Sequence, residues 1–309
     1  MKVWVGPRGT RDFLRDAVSA GGGVVVDGAD DVVAAEAVVW TAPRDPEGLR
    51  AVLGKHPQVP WVQLPWAGIE HYRPVLDHQR LWTAGQGIYA KDVAEHVLAL
   101  TLAGLRDLKR RAQATSWQPP SGLSLHGASV TILGAGGIAC ELVKLLKPFD
   151  VKLCIVRRRV DDALDHSLAG ARVVAFEGRI EALREADVVV VALALTPVTT
   201  GCVGVPELAA MKKTAWLINV ARGAHVDTNA LVAALQAKSI GGAAVDVTDP
   251  EPLPAGHALF TLDNAIVTPH CANTPEMAVP VLSERVRENV RRRIAGEPLL
   301  GVVDVDHGY

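Results

Sequence analysis

Three polar residues in the C-terminal half have the types and settings that acid–base chemistry on a small acid requires. Arg222 lies in Asn219-Val220-Ala221-Arg222-Gly223, Glu251 in Asp249-Pro250-Glu251-Pro252-Leu253-Pro254, and His270 in Thr268-Pro269-His270. Each comes just after a run that reads as a buried strand: residues 215–220, 242–247 and 265–267. An arginine can clamp a carboxylate and polarise a carbonyl. A histidine beside a glutamate is a proton donor and acceptor, because the carboxylate favours the protonated ring. Together these are the parts needed to reduce a 2-keto acid with a nicotinamide cofactor. Taken singly, each has a plainer role: Arg222 as a surface ion-pair partner, Glu251 as a turn acid, His270 as a satisfied loop histidine.

A cofactor site is the second requirement. The run Val130-Thr131-Ile132-Leu133 ends in Gly134-Ala135-Gly136-Gly137-Ile138-Ala139, and an apolar helix pattern follows. That order of strand, tight glycine turn and helix is the setting a dinucleotide fingerprint needs. Gly134 permits the turn, and Gly136 lets the backbone approach a pyrophosphate at the helix N-terminus, which Gly137 and Ile138 open. Ala139 holds the third position, where a small side chain lets helix pack on strand. The glycines alone would serve a structural turn equally well; the surrounding order favours the cofactor.

The next strand pattern, residues 151–156, ends in Arg157-Arg158-Arg159, with no acid before Asp161. Sites selective for NAD place Asp or Glu about 20 residues past the glycines, on the ribose 2′-OH. An arginine fork suits a 2′-phosphate instead. The plainer reading is a solvated basic turn. The expectation is NADP, with NAD possible, and Arg157 and Arg158 as contacts.

The elements that position these residues alternate. Strand patterns at 3–5, 24–26, 37–40 and 61–64, with helix patterns at 10–19 and 46–55, make a first α/β unit. Asp92-Val93-Ala94-Glu95 reads as a capping box, followed by a helix stripe of Val93, Val97, Leu100 and Leu108. Gly104 in that stripe would let another element pack close. Glu95 is read as a capping residue and His96 as a surface histidine. A Ser/Pro/Gly loop, residues 114–126, leads into the fingerprint strand. The Val/Ile/Ala runs from 187–192 onward suit a sheet buried on both faces. The last helix carries Val279, Leu282, Val286, Val290 and Ile294 on one stripe and stops at Gly296.

With 309 residues the chain has room for two domains. A net charge of −2 gives no sign of nucleic-acid binding or of an anionic membrane surface, and no apolar run approaches a bilayer span. The N-terminal apolar run breaks too early for a signal peptide. Four cysteines lack metal-type or disulfide-type spacing, so no metal is expected and a cytoplasmic location is.

The whole chain resembles the D-isomer-specific 2-hydroxyacid dehydrogenases, most strongly from Leu125 to His270. Gly134 to Ala139 looks like that family's cofactor loop. Ala186-Asp187-Val188-Val189-Val190, through Leu195-Thr196-Pro197-Val198-Thr199-Thr200-Gly201, looks like its next strand and threonine-rich loop. Leu217 to Gly223, Val245-Asp246-Val247 through Glu251-Pro252-Leu253-Pro254, and Thr268-Pro269-His270 are similar to its three catalytic segments, in order. Arg222 and Glu251 stand 29 residues apart.

The resemblance implies two Rossmann-like doubly wound α/β domains with a cleft between them, residues 1–92 plus 286–309 for substrate and 93–285 for the dinucleotide. It implies that Arg222 binds the substrate carboxylate and carbonyl, that His270 is the acid/base and that Glu251 is its partner. Asp246 would contact the nicotinamide end and Thr196 the cofactor, while the amides of Trp66-Ala67-Gly68 would hold the substrate carboxylate. Family members are commonly dimeric, so a homodimer is expected. The missing ribose acid favours NADP, and glyoxylate or hydroxypyruvate reduction is the activity implied. Glu251 in place of glutamine speaks against the formate dehydrogenase branch. The end at Tyr309 suggests that the regulatory domain of many phosphoglycerate dehydrogenases is missing. Two alternatives are kept: a phosphoglycerate dehydrogenase-like enzyme without that domain, and a dinucleotide-sensing, corepressor-like binding protein. Cys271 has no assigned role beyond packing.

Overall fold

A computed structural model describes residues 1–26, 31–161, 163 and 165–307. The chain divides into two compact units, Met1–Tyr89 with Thr274–Tyr309, and Ala90–Asn273.

The first unit is a five-stranded parallel sheet of β1 (Lys2–Gly6), β2 (Val24–Val26), β3 (Ala37–Trp40), β4 (Trp61–Gln63) and β5 (Leu81–Thr83), in the order β2-β1-β3-β4-β5. Strand alternation sorts its side chains. Val3, Val5, Ala37 and Val39 join one apolar cluster, and Trp4, Val38 and Trp40 join another. The first cluster takes Leu14 and Val18 from α1 (Phe13–Ala20), and the second takes Leu49 and Leu53 from α2 (Pro46–Lys55). Asp45 caps α2 by accepting from the Gly48 amide at 2.8 Å, with Pro46 opening the helix. The helix pattern at 10–19 is realised three residues later at its start, because Arg11 turns the chain with a φ of +52°. β5 escapes the pattern reading, being three residues set among Pro, Asp, His, Gln and Arg.

The second unit is a seven-stranded parallel sheet. Its strands are β6 (Ser129–Leu133), β7 (Lys152–Arg157), β8 (Arg172–Ala175), β9 (Val188–Val191), β10 (Trp216–Asn219), β11 (Gly242–Val245) and β12 (Ala265–Val267). The order β12-β11-β10-β9-β6-β7-β8 reverses between β6 and β9, the crevice where doubly wound sheets bind ligands. The central strand Val188–Val191 is buried throughout, which explains its unbroken valines. Edge strand β8 is mostly half-exposed and carries a weaker pattern. The helices are α3 (Ala90–Leu105), α4 (Leu108–Ala112), α5 (Gly137–Leu146), α6 (Arg179–Glu185), α7 (Val205–Ala210), α8 (Thr228–Gln236) and α9 (Ala258–Thr261); α10 (Pro275–Ala295) returns to the first unit. The loop of residues 114–126 lies inside this second unit.

Two expectations about α3 are corrected. It starts at Ala90, so Asp92 is a first-turn acid rather than a cap; there it meets the positive end of the helix dipole. The stripe ends at Leu105, because Asp107 at φ +54° turns the chain and leaves Leu108 half-exposed. Gly104 is buried against Trp216, and a Cβ there would stand 2.3 Å from the indole ring. In α10, Leu282, Val286 and Val290 are buried, whereas Ile294 is half-exposed one turn beyond the sheet. Among the described residues no helix is long and apolar enough to cross a membrane.

Candidate active site

Because every strand of the second unit runs the same way, one edge of the sheet collects all the C-terminal ends. Gly134, Arg157, Arg222, Asp246 and His270 each lie at or just past such an end.

The fingerprint turn comes first. Gly134 has a φ of +119°, and a Cβ there would meet the Ala192 carbonyl at 2.3 Å, so both conformation and space demand glycine. Gly136 is different. It caps α5 with no side-chain hydrogen bond, and a Cβ on it would meet nothing within 4 Å. Protein packing therefore does not account for this glycine, whereas close approach of a ligand does. Ala139 is fully buried where α5 rests on the sheet. The exposed residues Gly136 and Gly137, with Ile138, open a ten-residue helix whose first amides suit a pyrophosphate. These features fit a dinucleotide. Arg157 ends β7 and Arg158 follows it, exposed; β7 pairs with β6 up to Leu133, and Gly134 donates to the Val156 carbonyl at 2.8 Å. Thr196 opens a loop closed on itself, its amide donating to Thr199 Oγ1 at 2.8 Å.

Arg222 is half-buried on a turn that the side chain of Asn219 builds. Asn219 is buried; its Nδ2 donates to the Arg222 carbonyl at 3.0 Å and its Oδ1 accepts from the Ala221 amide at 3.1 Å. The buried His225 ring sets Nδ1 3.2 Å from the Arg222 carbonyl and Nε2 3.3 Å from the Ala194 carbonyl. Gly223 then meets the Thr248 backbone directly, bringing the Arg222 turn beside the loop that carries Glu251.

His270 and Glu251 are brought together, with Nδ1 of the imidazole 2.8 Å from Oε1 of the carboxylate. An ionised carboxylate only accepts, so Nδ1 carries the hydrogen of this contact, and Nε2 is the nitrogen offered to a reactant. Both side chains are partly solvent-exposed. His270 has a φ of +51°, a left-handed conformation that costs a non-glycine residue on the order of 1–3 kcal/mol. Its surroundings hold it there. The His270 amide donates to the Asp246 carbonyl at 2.8 Å, and the amides of Cys271 and Ala272 donate to the Asp246 carboxylate at 2.9 and 3.0 Å.

Asp246 is buried, with three hydrogen-bond donors on its carboxylate and a histidine beside it. Besides the two amides, Thr268 Oγ1 donates at 2.6 Å and His96 Nε2 lies 3.5 Å away. Burial raises its pKa, yet the polar contact with His96 and the hydrogen bonds from Thr268, Cys271 and Ala272 outweigh it and hold the carboxyl well below the usual range. His96 is thus no surface histidine. It lies three residues after Val93 and four before Leu100, on the buried face of α3. That spacing was the available signal. His96, Asp246 and Cys271 bring ligand-type atoms within 4.8 Å of one another. Within it Asp246 Oδ1 takes the bonds from Thr268 and Cys271, and Oδ2 takes the one from Ala272. Burial, and then the charge of Asp246, pushes the Cys271 thiol up and disfavours a thiolate.

Residues 96–272, more than half of the chain, match the family model described as D-isomer specific 2-hydroxyacid dehydrogenase, NAD binding domain. The chain belongs to this dehydrogenase family. It is therefore a nicotinamide-dependent oxidoreductase. It is 38% identical over 261 residues to an uncharacterised protein of Corynebacterium melassecola, covering 81% of this chain and 84% of that one. It is 33% identical over 222 residues to a glyoxylate reductase of Thermofilum pendens, covering 68% of this chain and 64% of the relative. A D-isomer specific 2-hydroxyacid dehydrogenase from Xanthobacter autotrophicus, solved in complex with NADPH and MES, has a TM-score of 0.84 at 27% identity, covering 100% of this chain and 99% of that one.

Trp66, Ala67 and Gly68 lie in the first unit, after β4. Their turn is held locally: the Gly85 amide donates to the Trp66 carbonyl at 2.9 Å, and the Arg11 guanidinium stacks 3.8 Å from the Trp66 ring centroid.

Proposed function

We propose that this dehydrogenase reduces a small 2-keto acid of the glyoxylate/hydroxypyruvate class with NADPH. The observation that carries the reading is the His270–Glu251 pair, which leaves Nε2 of a positioned imidazole to face a reactant. When bound, the reduced nicotinamide supplies a hydride. His270 gives its Nε2 proton to the oxygen that becomes the hydroxyl, and Glu251 fixes the ring orientation that makes this direct. Arg222 takes the carboxylate and stabilises charge growing on the carbonyl oxygen. The amides opening α5 hold the pyrophosphate, Thr196 and Asp246 serve the nicotinamide half, and Arg157 and Arg158 take the 2′-phosphate. The glyoxylate reductase relative and the NADPH complex of the Xanthobacter enzyme support this choice.

A homodimer and a cytoplasmic location belong to the same proposal. Trp117 is fully exposed, with half-exposed Leu108 and Leu123 as further apolar surface, which suits burial against a second copy. The four cysteines are free thiols, as a reducing compartment requires. The test is NADPH absorbance decay with a panel of keto acids, alongside sedimentation for the mass. Turnover confined to glyoxylate and hydroxypyruvate is expected. No turnover with any keto acid would overturn the reading.

A further inference from the structure

The His270 turn has a support that lies outside the reacting groups. Its three consecutive amides, from His270 to Ala272, all bond to Asp246, so the position of that one aspartate sets the turn. What holds Asp246 laterally is Thr268, and beyond it His96 on α3. Thr268 has one hydroxyl hydrogen, and its 2.6 Å bond to Asp246 Oδ1 uses it. The contact at 3.2 Å between His96 Nε2 and Thr268 Oγ1 must then be donated by the histidine. The same Nε2 lies 3.5 Å from Asp246 Oδ1, an electrostatic contact longer than its bond to the hydroxyl. The tautomer of His96 follows from this count: the hydrogen sits on Nε2. The ring is largely buried, with 20% of its side chain exposed, and it stands on a rigid 16-residue helix.

We propose that His96 is a positioning residue for catalysis. By donating from Nε2 to Thr268, whose hydroxyl binds Asp246, it fixes the buried carboxylate from which the His270 turn hangs, and so aims the His270 imidazole. The inference rests on the assignment of His270 as the acid/base and adds a residue that this assignment does not include. Misplacing a reacting group by a fraction of an ångström slows the chemical step and leaves the binding of reactants much as it was.

The experiment compares His96→Ala and His96→Gln in the full chain, measuring kcat, both KM values and the thermal midpoint. In His96→Ala, kcat should fall roughly tenfold to a hundredfold, with the KM for the keto acid near wild type. His96→Gln keeps an N–H where Nε2 stands and should recover most of the turnover. In an Asp246→Asn background, replacing His96 should cost little more, since the acceptor is already altered. Should His96→Ala fold poorly, Gln and Asn carry the comparison, the Asn amide being one methylene too short to restore turnover. Wild-type kcat in His96→Ala, a Gln variant as slow as Ala, or a keto acid KM rising in step with the loss would each overturn the proposal. His270→Ala separates the two levels. If it too turns over normally, the acid/base assignment fails; if it alone is inactive, only the role of His96 fails.

Discussion

Gly223 and Thr248 meet backbone to backbone: a Cβ on Gly223 would stand 2.0 Å from the Thr248 carbonyl. The glycine after Arg222 therefore decides how near the arginine turn comes to the Glu251 loop. Gly223→Ala must push the two loops apart. We expect a stability loss of about 1–3 kcal/mol, typical of overpacking, with lower kcat and intact cofactor affinity. Urea unfolding and steady-state kinetics check this. Unchanged values for both would mean that the loops tolerate separation.

Removing the proton donor should act on turnover alone. His270→Ala is expected to lower kcat by roughly 10²–10⁴-fold, the usual worth of positioned proton transfer. NADPH binding, followed by fluorescence, should persist because the fingerprint turn is untouched. Glu251→Gln should give a smaller loss, since the ring remains and loses only its charged partner. A larger loss in Glu251→Gln than in His270→Ala would reverse the assigned roles.

Cofactor choice should depend on the end of β7. A charge-assisted hydrogen bond is worth about 1.5–3 kcal/mol, or roughly ten- to hundredfold in affinity. Replacing Arg157 and Arg158 together by Ala should raise the KM for NADPH by that order and leave the KM for NADH nearly unchanged. Equal weakening of both cofactors would sink the idea.

Asp246 sets an acid limit on stability. Its carboxyl titrates lower in the fold than in the open chain, where an aspartate has a pKa of about 3.9. Its contribution is therefore fully present above that value and is lost as pH falls through the lower, folded value. Asp246→Asn should be less stable than wild type at neutral pH, with a gap that narrows below about pH 4. Thermal midpoints measured from pH 6 to pH 3 give the answer. A gap that stays constant would contradict the linkage.

Legibility in the sequence followed the physics of each element. The strand at 265–267 and the helix at 46–55 were readable to the residue, the first from its apolar run and the second from the Asp45-Pro46 start. Strands β5 and β8 were not: β5 has only three residues, and the four of β8 are mostly half-exposed, so neither carries enough pattern. The meeting of His270 with Glu251 was expected from family order alone, since the 18 intervening positions of loop, helix and strand carry no period that pairs them. His96 was missed for a different reason. Its type suggests a surface, while its place on the α3 stripe gives the buried face, and only the Asp246 carboxylate reconciles the two.

The contribution of α10 to the first unit bears on how the chain is made. Leu282, Val286 and Val290 complete a core begun by Val3, Val5, Leu14 and Val18. During synthesis the N-terminal segment thus emerges without its covering helix and waits for nearly two hundred residues. The continuous second unit, whose contacts are complete by Asn273, can collapse first. The nucleotide-binding half thus has its whole sequence before α10 is made, and the half that begins earliest is the last to have its sequence complete.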